Sequence, residues 1–265
     1  MARSVHAPKG LYTAEQAIAK LRMPKATFHD YVKKGKIRKV VPPGKSQGYY
    51  EKVFIDDMAE ANELFAIQYA TDPATFEVAT INDIEGIYHV MISFWGSLYV
   101  PSVKLRQSWY EVNPEIDYVV KQNGIVTGYL TILPLKQEII KQLMDGEIGT
   151  KDIKPDDILP FISGIPLECW VGIAVKTGVY KPEKYGIRLI AGARNVLNGM
   201  GKRKVHIKRL WAKSETADGI KLCGDLGFES IDASSTKLPK KFVLDMDTTQ
   251  SPHLQQYKRT LNKNT

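Results

Sequence analysis

The sequence predicts an α+β protein of two domains, a small basic helical domain followed by a larger α/β domain with a mixed sheet. Its 265 residues suffice for two domains of ordinary size. Residues 1–52 hold 12 Lys and Arg against three acidic residues, whereas the whole chain carries a formal net charge of +8. The excess positive charge is therefore confined to the first fifth, and the near-neutral remainder alternates strand-like and helix-like segments.

The composition excludes several classes of protein. The 43% hydrophobic and 25% charged residues are typical of a globular domain. No apolar run approaches the ~20 residues of a membrane-spanning helix, and the first residues lack the apolar core of a secretory signal. Cys169 and Cys223 lie far apart without Cys/His ligand spacing, so neither a disulfide nor a metal site is predicted. We expect a cytoplasmic protein that does not associate with membranes.

Two short helices joined by a turn are predicted in the basic segment. Thr13 is a favourable N-cap, and Gln16 three residues later completes a capping-box pattern. Pro24 suits the first turn of a second helix, which Gly35 ends. In such a helix-turn-helix the second helix can enter the major groove of DNA. Its predicted DNA-contacting side chains are Lys25, Thr27, His29 and Lys33.

A β-wing is predicted after the second helix. Residues 37–41 and 49–54 have the composition of two strands around a Pro-Gly loop, and a third helix is expected to begin near Asp56. The wing would direct cations at DNA phosphates, namely Arg38, Lys45 and Lys52. On charge alone, a solvated basic face explains the pattern as well as a nucleic-acid surface does.

The stretch "TAEQAIAKLRMPKATFHDYVKKGKI", followed by "GYYEKVFIDDM", resembles the winged helix-turn-helix of the MerR/excisionase type. The resemblance covers residues 1–65 and implies double-stranded DNA as a partner, with a homodimer as an option. The family wing usually has an arginine after Gly-Tyr, where this chain has Tyr50. A small helical domain that binds protein is the alternative interpretation. Residues 66–74 are then predicted to be a linker to a domain spanning residues 75–265.

Beyond the linker, the segments predict the order β-α-α-β-β-β-α-β-α-β. Asn123-Gly124 between the strand-like residues 118–121 and 125–133 is a strong hairpin signal. The apolar run "ECWVGIAV" is typical of a buried central strand. A mixed sheet with helices on its faces follows from this order.

Two stretches of this second domain, "YVVKQNGIVTGYLTI" and "GIKLCGDLGFESI", resemble the second and third strands and the terminal helix of the GNAT acyltransferase family. The resemblance spans roughly residues 75–247. It implies that the domain binds acetyl-CoA or another acyl-CoA and transfers the acyl group, usually to an amine. The acceptor itself is not implied.

The GNAT resemblance also implies which residues hold the coenzyme. The central strand of the family splays from its neighbour, so backbone groups of Ile173, Ala174 and Val175 would pair with the pantetheine arm. The next helix would bind the pyrophosphate at Gly186, with Lys184 and Arg188 as cations. The family signature Gln/Arg-x-x-Gly-x-Gly/Ala is matched only at Gly186, because Glu183 and Arg188 depart from it.

The implied catalytic residues are Glu168 and Cys223. Glu168, at the start of the central strand, is a candidate general base, and an exposed strand-end carboxylate is the alternative. The family's proton donor is a tyrosine four residues before the Gly-Phe glycine, and this chain has Cys223 there. A thiol can donate a proton, but a semi-buried cysteine is more often a packed apolar residue.

Three functions remain open from the sequence. The first is a DNA-binding protein whose second domain binds acyl-CoA and transfers the acyl group. The second is an enzyme that the basic module recruits to its substrate. The third is a transcriptional regulator whose GNAT-like domain is inactive and senses a ligand or dimerises, since fold alone does not decide activity.

Overall fold

A computed structural model describes residues 7–43, 48–69, 71, 73–232 and 236–262. The chain divides into two compact units, residues 1–70 and residues 71–265.

The first unit is a small helical domain with a two-stranded sheet. Its elements are β1 Leu11–Tyr12, α1 Ala14–Leu21, α2 Lys25–Lys33, β2 Tyr50–Glu51 and α3 Lys52–Gln68. The predicted capping box is present: the Thr13 hydroxyl accepts from the Gln16 amide at 3.2 Å, and the Gln16 side chain accepts from the Thr13 amide at 2.9 Å. The three helices enclose a core of Ala17, Leu21, Phe28, Ile37, Tyr50 and Ile55.

The predicted wing is much shorter than expected. Val40 and Tyr49 form a single bridge, with both backbone hydrogen bonds at 2.8 Å. Residues 52–54 are helical rather than extended, and α3 begins at Lys52 rather than near Asp56. The reason is visible in the spacing of Ile55, Met58 and Ala59, which pack on the core at the i, i+3, i+4 positions of a helix.

The second unit contains a seven-stranded mixed sheet. The strands are ordered β3-β4-β5-β6-β7-β9-β8, and only β6 and β7 run parallel. The predicted mixed sheet is thus confirmed, with "ECWVGIAV" in its central strand. The strands span β3 Thr75–Val78, β4 Asp117–Gln122, β5 Ile125–Leu135, β6 Leu167–Val175, β7 Ile207–Ser214, β8 Glu229–Ser230 and β9 Lys240–Asp245.

Six α-helices surround this sheet in the described residues: α4 Ile84–Trp95, α5 Val103–Val112, α6 Gln137–Asp145, α7 Pro182–Lys202, α8 Ala217–Leu226 and α9 Gln255–Asn262. Helix α9 was not predicted, because its sequence is mostly polar. It is fixed by Tyr257, whose hydroxyl accepts from the Ile207 amide at 2.8 Å and donates to the Val205 carbonyl at 3.0 Å.

The two faces of the sheet bury different helices. On one, Tyr129 packs with α4, and Leu133 packs with α5 and α6; we refer to it as the α4 face. On the opposite face lies α7, and we refer to it as the α7 face. Gly192 allows α7 to approach closely, because a Cβ atom there would lie 2.3 Å from the ring of Phe76 in β3.

A buried ion pair connects α5 to the sheet on the α4 face. The Arg106 guanidinium donates to an Asp117 oxygen and, at 2.9 Å, to the Thr131 hydroxyl. Arg106 is 2% exposed and Asp117 is 1% exposed. The Arg106 Nε and the second Asp117 oxygen have no partner among the described residues. The ion pair therefore runs through one Asp117 oxygen, which also accepts from the Thr131 hydroxyl at 2.6 Å.

Candidate functional site

Strands β6 and β7 are joined along only part of their length. Their parallel ladder ends at the pair Trp170–Trp211. Beyond it, β6 stays paired with β5 as far as Val175, and β7 stays paired with β9 as far as Ser214. The sheet is therefore open between residues 171–175 and residues 212–214. We refer to this opening as the fork.

The backbone direction along β6 decides which residues face the fork. The Lys176 amide donates to the Thr127 carbonyl at 2.8 Å, so Lys176 points toward β5. Because direction alternates along a strand, Gly172 and Ala174 also point toward β5. The fork edge of β6 consists of the alternate residues Val171, Ile173 and Val175. The Val171 amide still completes the ladder at the Trp170–Trp211 pair, so the groups without a strand partner are the Val171 carbonyl and the backbone groups of Ile173 and Val175.

This alternation corrects one predicted ligand. Ile173 and Val175 present their backbone to the fork, as the pantetheine contacts require. The Ala174 backbone is paired with Tyr129 in β5 instead. Val171 lies on the fork side instead. The two-residue period of a strand separates the two sets of residues, but the register with β5 decides which set faces the fork.

The segment after β6 leads directly into the N-terminus of α7, which is the positive end of the helix dipole. Gly178 has φ 78° and Lys181 has φ 53°, which turns the chain into Pro182 at the first helical position. The backbone amides of residues 178–181 donate to no other residue in the part of the chain that the structure describes. Free amides before a helix N-terminus suit an anionic group.

The three residues expected at the pyrophosphate have different surroundings. Lys184 donates to the Gln122 side chain at 2.9 Å, so its cation is tied to the end of β4. A Cβ atom at Gly186 would have no heavy atom within 4 Å, so packing within the chain does not demand glycine there. Arg188 is half-buried, and its guanidinium pairs with no carboxylate among the described residues.

The Glu168 carboxylate lies on the α4 face, where two side chains donate hydrogen bonds to it. It is therefore not an exposed carboxylate at a strand end. One of its oxygens accepts from Arg209 at 3.3 Å and the other from the Trp211 indole at 2.7 Å. Arg209 also donates to Asp245 at 3.3 Å. The side chain of Glu168 is only 12% exposed. The network fixes a carboxylate two residues before the fork opens.

Cys223 contributes its carbonyl to the end of α8. That carbonyl accepts from the Phe228 amide at 2.9 Å, and Gly227 has φ 91°, as in a Schellman cap. Burial raises the pKa of the half-buried Cys223 thiol to about 11. This thiol is a weaker acid than an ordinary one, whose pKa is ~8.5. It is therefore poorly suited to protonate a departing thiolate.

An apolar pocket opens beside the fork on the α7 face. Val171 and Ile173 line it from β6, Leu210 from β7, and Leu226 and Phe228 from the end of α8. The Leu-Gly-Phe corner thus forms one wall of the pocket. The two sides of the fork differ in character, because the α4 face carries Glu168 and its partners.

The predicted DNA-contacting residues have different surroundings. Lys25, His29 and Lys33 are exposed and spaced by four, so they form one stripe along α2. Thr27 is half-buried and lies on another side of the helix, so it does not share the exposed face of the three other residues predicted on α2. Arg38 is exposed, and Lys45 lies outside the described residues. Lys52 begins α3 rather than a wing strand, with its amine 5.0 Å from the centre of the Tyr12 ring.

No family model matches this chain, and no curated protein matches it. Several solved structures are similar in part. One is yncA of Salmonella typhimurium, an assigned acetyltransferase with its cofactor acetyl-CoA; the identity is 18%, the coverage is 68% of this chain and 98% of that one, and the TM-score is 0.41.

An N-acetyltransferase from Staphylococcus aureus shares 14% identity over 66% of this chain and 99% of its own, with a TM-score of 0.42. A ribosomal-protein-alanine N-acetyltransferase from Brucella melitensis shares 18% over 64% and 96%, with a TM-score of 0.40. Among the described residues, no helix is both long and apolar enough to cross a bilayer.

Proposed function

We propose that the second unit binds an acyl-CoA, such as acetyl-CoA, in the fork and transfers its acyl group to an amine. The observation that carries the proposal is the edge of β6 that has no strand partner, formed by the Val171 carbonyl and by the backbone groups of Ile173 and Val175. A pantetheine arm contains amide groups that can pair with this edge as an added strand would. The apolar pocket beside the edge suits the methylene groups of the same arm.

The segment between β6 and α7 supports the phosphate part of the proposal. Its free amides at residues 178–181 and the positive end of α7 lie directly after the strand edge in sequence. Arg188 adds a cation without a carboxylate partner in the described chain. Glu183, in the first turn, acts against the binding of an anion. We therefore propose that the loop amides and Arg188 bind the phosphates. Lys184 does not take part, because its amine is bound to the Gln122 side chain.

The α4 face supplies a group for the acceptor amine. Arg209 and Trp211 hold the Glu168 carboxylate two residues before the fork opens. An ammonium group bound next to Trp170 on the α4 face would therefore lie close to this carboxylate. In the transfer, the amine nitrogen attacks the thioester carbonyl, a C–N bond forms and the C–S bond breaks. Glu168 takes the proton that the amine loses, and solvent protonates the thiolate.

Ligand-dependent melting tests the binding step. Acetyl-CoA and free CoA are expected to raise the melting temperature in a concentration-dependent way, because a ligand of the native state stabilises it by mass action. Adenosine 3′,5′-bisphosphate, which lacks the pantetheine arm, should have a smaller effect. An unchanged melting temperature with millimolar acetyl-CoA would overturn the proposal.

Thiol release in the presence of candidate amines tests the transfer step. Release that depends on an amine and is lost in Glu168→Gln supports the transferase. CoA binding without release by any amine supports the alternative, a regulator whose second unit senses the coenzyme.

For the first unit we propose DNA binding. Its support is the stripe of Lys25, His29 and Lys33 on α2 together with the positive charge of residues 1–52. Duplex affinity is expected to fall with added salt, and Lys25→Gln and Lys33→Gln should each reduce the salt slope by about one. Thr27→Ala, off the stripe, is the matched control. An affinity that does not change with salt would contradict the proposal.

A further inference from the structure

Lys213 lies on β7 where the fork is open. It is two residues beyond Trp211, the last residue of β7 that pairs with β6. By strand alternation its side chain lies on the α4 face, as those of Trp211 and Arg209 do. The β6 residue at the same level is Gly172, which has no side chain to fill this face. A Cβ atom at Gly172 would be 3.8 Å from its nearest neighbour, the Tyr129 ring.

The amine of Lys213 is held by a backbone carbonyl rather than by an ion pair. It donates to the Leu143 carbonyl in the last turn of α6, and it pairs with no carboxylate in the described chain. Burial and the positive charge of Lys241, its cross-strand partner, lower the pKa of Lys213, while Asp145 acts in the opposite direction. A larger fraction of this lysine is neutral near pH 7 than of an ordinary lysine. The neutral amine can still donate to Leu143 while its lone pair is free.

We propose that Lys213 accepts the acyl group of the thioester in the fork, so that the chain acylates itself at this residue. This inference rests on the proposed binding of acyl-CoA. The Lys213 nitrogen attacks the thioester carbonyl, the new C–N bond forms and the C–S bond breaks. The proton lost by the nitrogen passes to the thiolate, so the products are an Nε-acyl-lysine and CoA. No oxidant or further reactant is needed.

Isotope-labelled acetyl-CoA and peptide mass spectrometry test the inference. We expect Lys213 to be acetylated at least about tenfold faster than Lys208, because a thioester held in the fork reacts as if intramolecular. Lys208 is a matched control: it is half-buried on the same strand, but it precedes the fork and lies on the α7 face. Excess free CoA should slow the labelling of Lys213 and leave that of Lys208 unchanged.

Two variants separate this inference from surface acylation. Lys213→Arg keeps the positive charge, and the acetyl label at this position is expected to disappear. Lys241→Gln removes the neighbouring positive charge, so Lys213 should be labelled more slowly near pH 7. Equal labelling of Lys208 and Lys213, or labelling that free CoA does not slow, would overturn the inference. A melting shift with CoA but no label on Lys213 overturns this inference alone, whereas no shift overturns the proposed function as well.

Discussion

Trp170 and Trp211 form the last residue pair that joins β6 to β7, and the residues of the candidate site lie on both sides of this pair. Before it, Glu168 is fixed by Arg209 and Trp211. After it, β6 has one paired edge, toward β5, and one unpaired edge, toward the fork. A parallel pair that separates in the middle of a sheet leaves obligatory hydrogen-bonding groups without partners. These groups need water or a ligand.

A proline scan distinguishes the two edges of β6. Ile173→Pro removes an N–H that faces the fork and costs no ladder bond, so the melting temperature should fall little while CoA affinity falls. Ala174→Pro removes an N–H bonded to β5 and should lower the melting temperature strongly. Thermal melts with and without CoA check both. Equal destabilisation by the two variants would show that the assigned alternation is wrong.

The end of α8 depends on its glycine. Gly227 has φ 91°, and a Cβ atom there would lie 3.1 Å from Ser251, so Gly227→Ala should cost about 1 kcal/mol or more of unfolding free energy. Gly224→Ala is the control, because a Cβ atom there has nothing within 4 Å and the residue is helical. It should be neutral or stabilise by about 0.5–1 kcal/mol. Urea unfolding measures both, and a stabilising Gly227→Ala would contradict the cap.

The buried pair of Arg106 and Asp117 is expected to be strongly coupled. Arg106→Met leaves a buried carboxylate without its cation and should cost about 3–5 kcal/mol of unfolding free energy. The double variant with Asp117→Leu should cost much less than the sum of the single variants, because no unpaired charge remains. A double-mutant cycle from urea unfolding measures the coupling. Additive effects would mean that the pair does not form.

Cys223 is expected to be dispensable for chemistry. Because burial raises its pKa to about 11, little thiolate exists near pH 8, and alkylation by iodoacetamide should be slower than that of an unfolded-chain cysteine. Cys223→Ala should therefore retain most of any thiol-releasing activity. Loss of that activity in a Cys223→Ala variant that still binds CoA would show that the thiol takes part in the reaction.

Much of the second unit was predictable, because its elements carry local signals. Asn123-Gly124 forms the hairpin, with φ values of 52° and 73°, and Leu226-Gly227-Phe228 ends a helix. These positions depend on backbone conformations that few residue types adopt.

The short wing and the residues at the fork edge of β6 were harder to predict from the sequence, because both depend on tertiary contacts. Residues 49–54 have strand-like composition, yet the core contact of Ile55 with α1 and α2 favours a helix from Lys52, and tertiary packing overrides such propensities. The partners of Glu168, which are Arg209 and Trp211, lie on β7, far away in sequence. The choice of Val171 over Ala174 needs the register with β5, which a single strand does not reveal.

Amide hydrogen exchange along β6, measured by NMR with and without CoA, tests the central claim most directly. We predict that CoA slows exchange at Ile173 and Val175. It should leave exchange unchanged at Val171, whose amide already pairs with β7, and at Gly172 and Ala174, whose amides already pair with β5. Slowing at all five, or at none while CoA raises the melting temperature, would contradict binding along the fork edge.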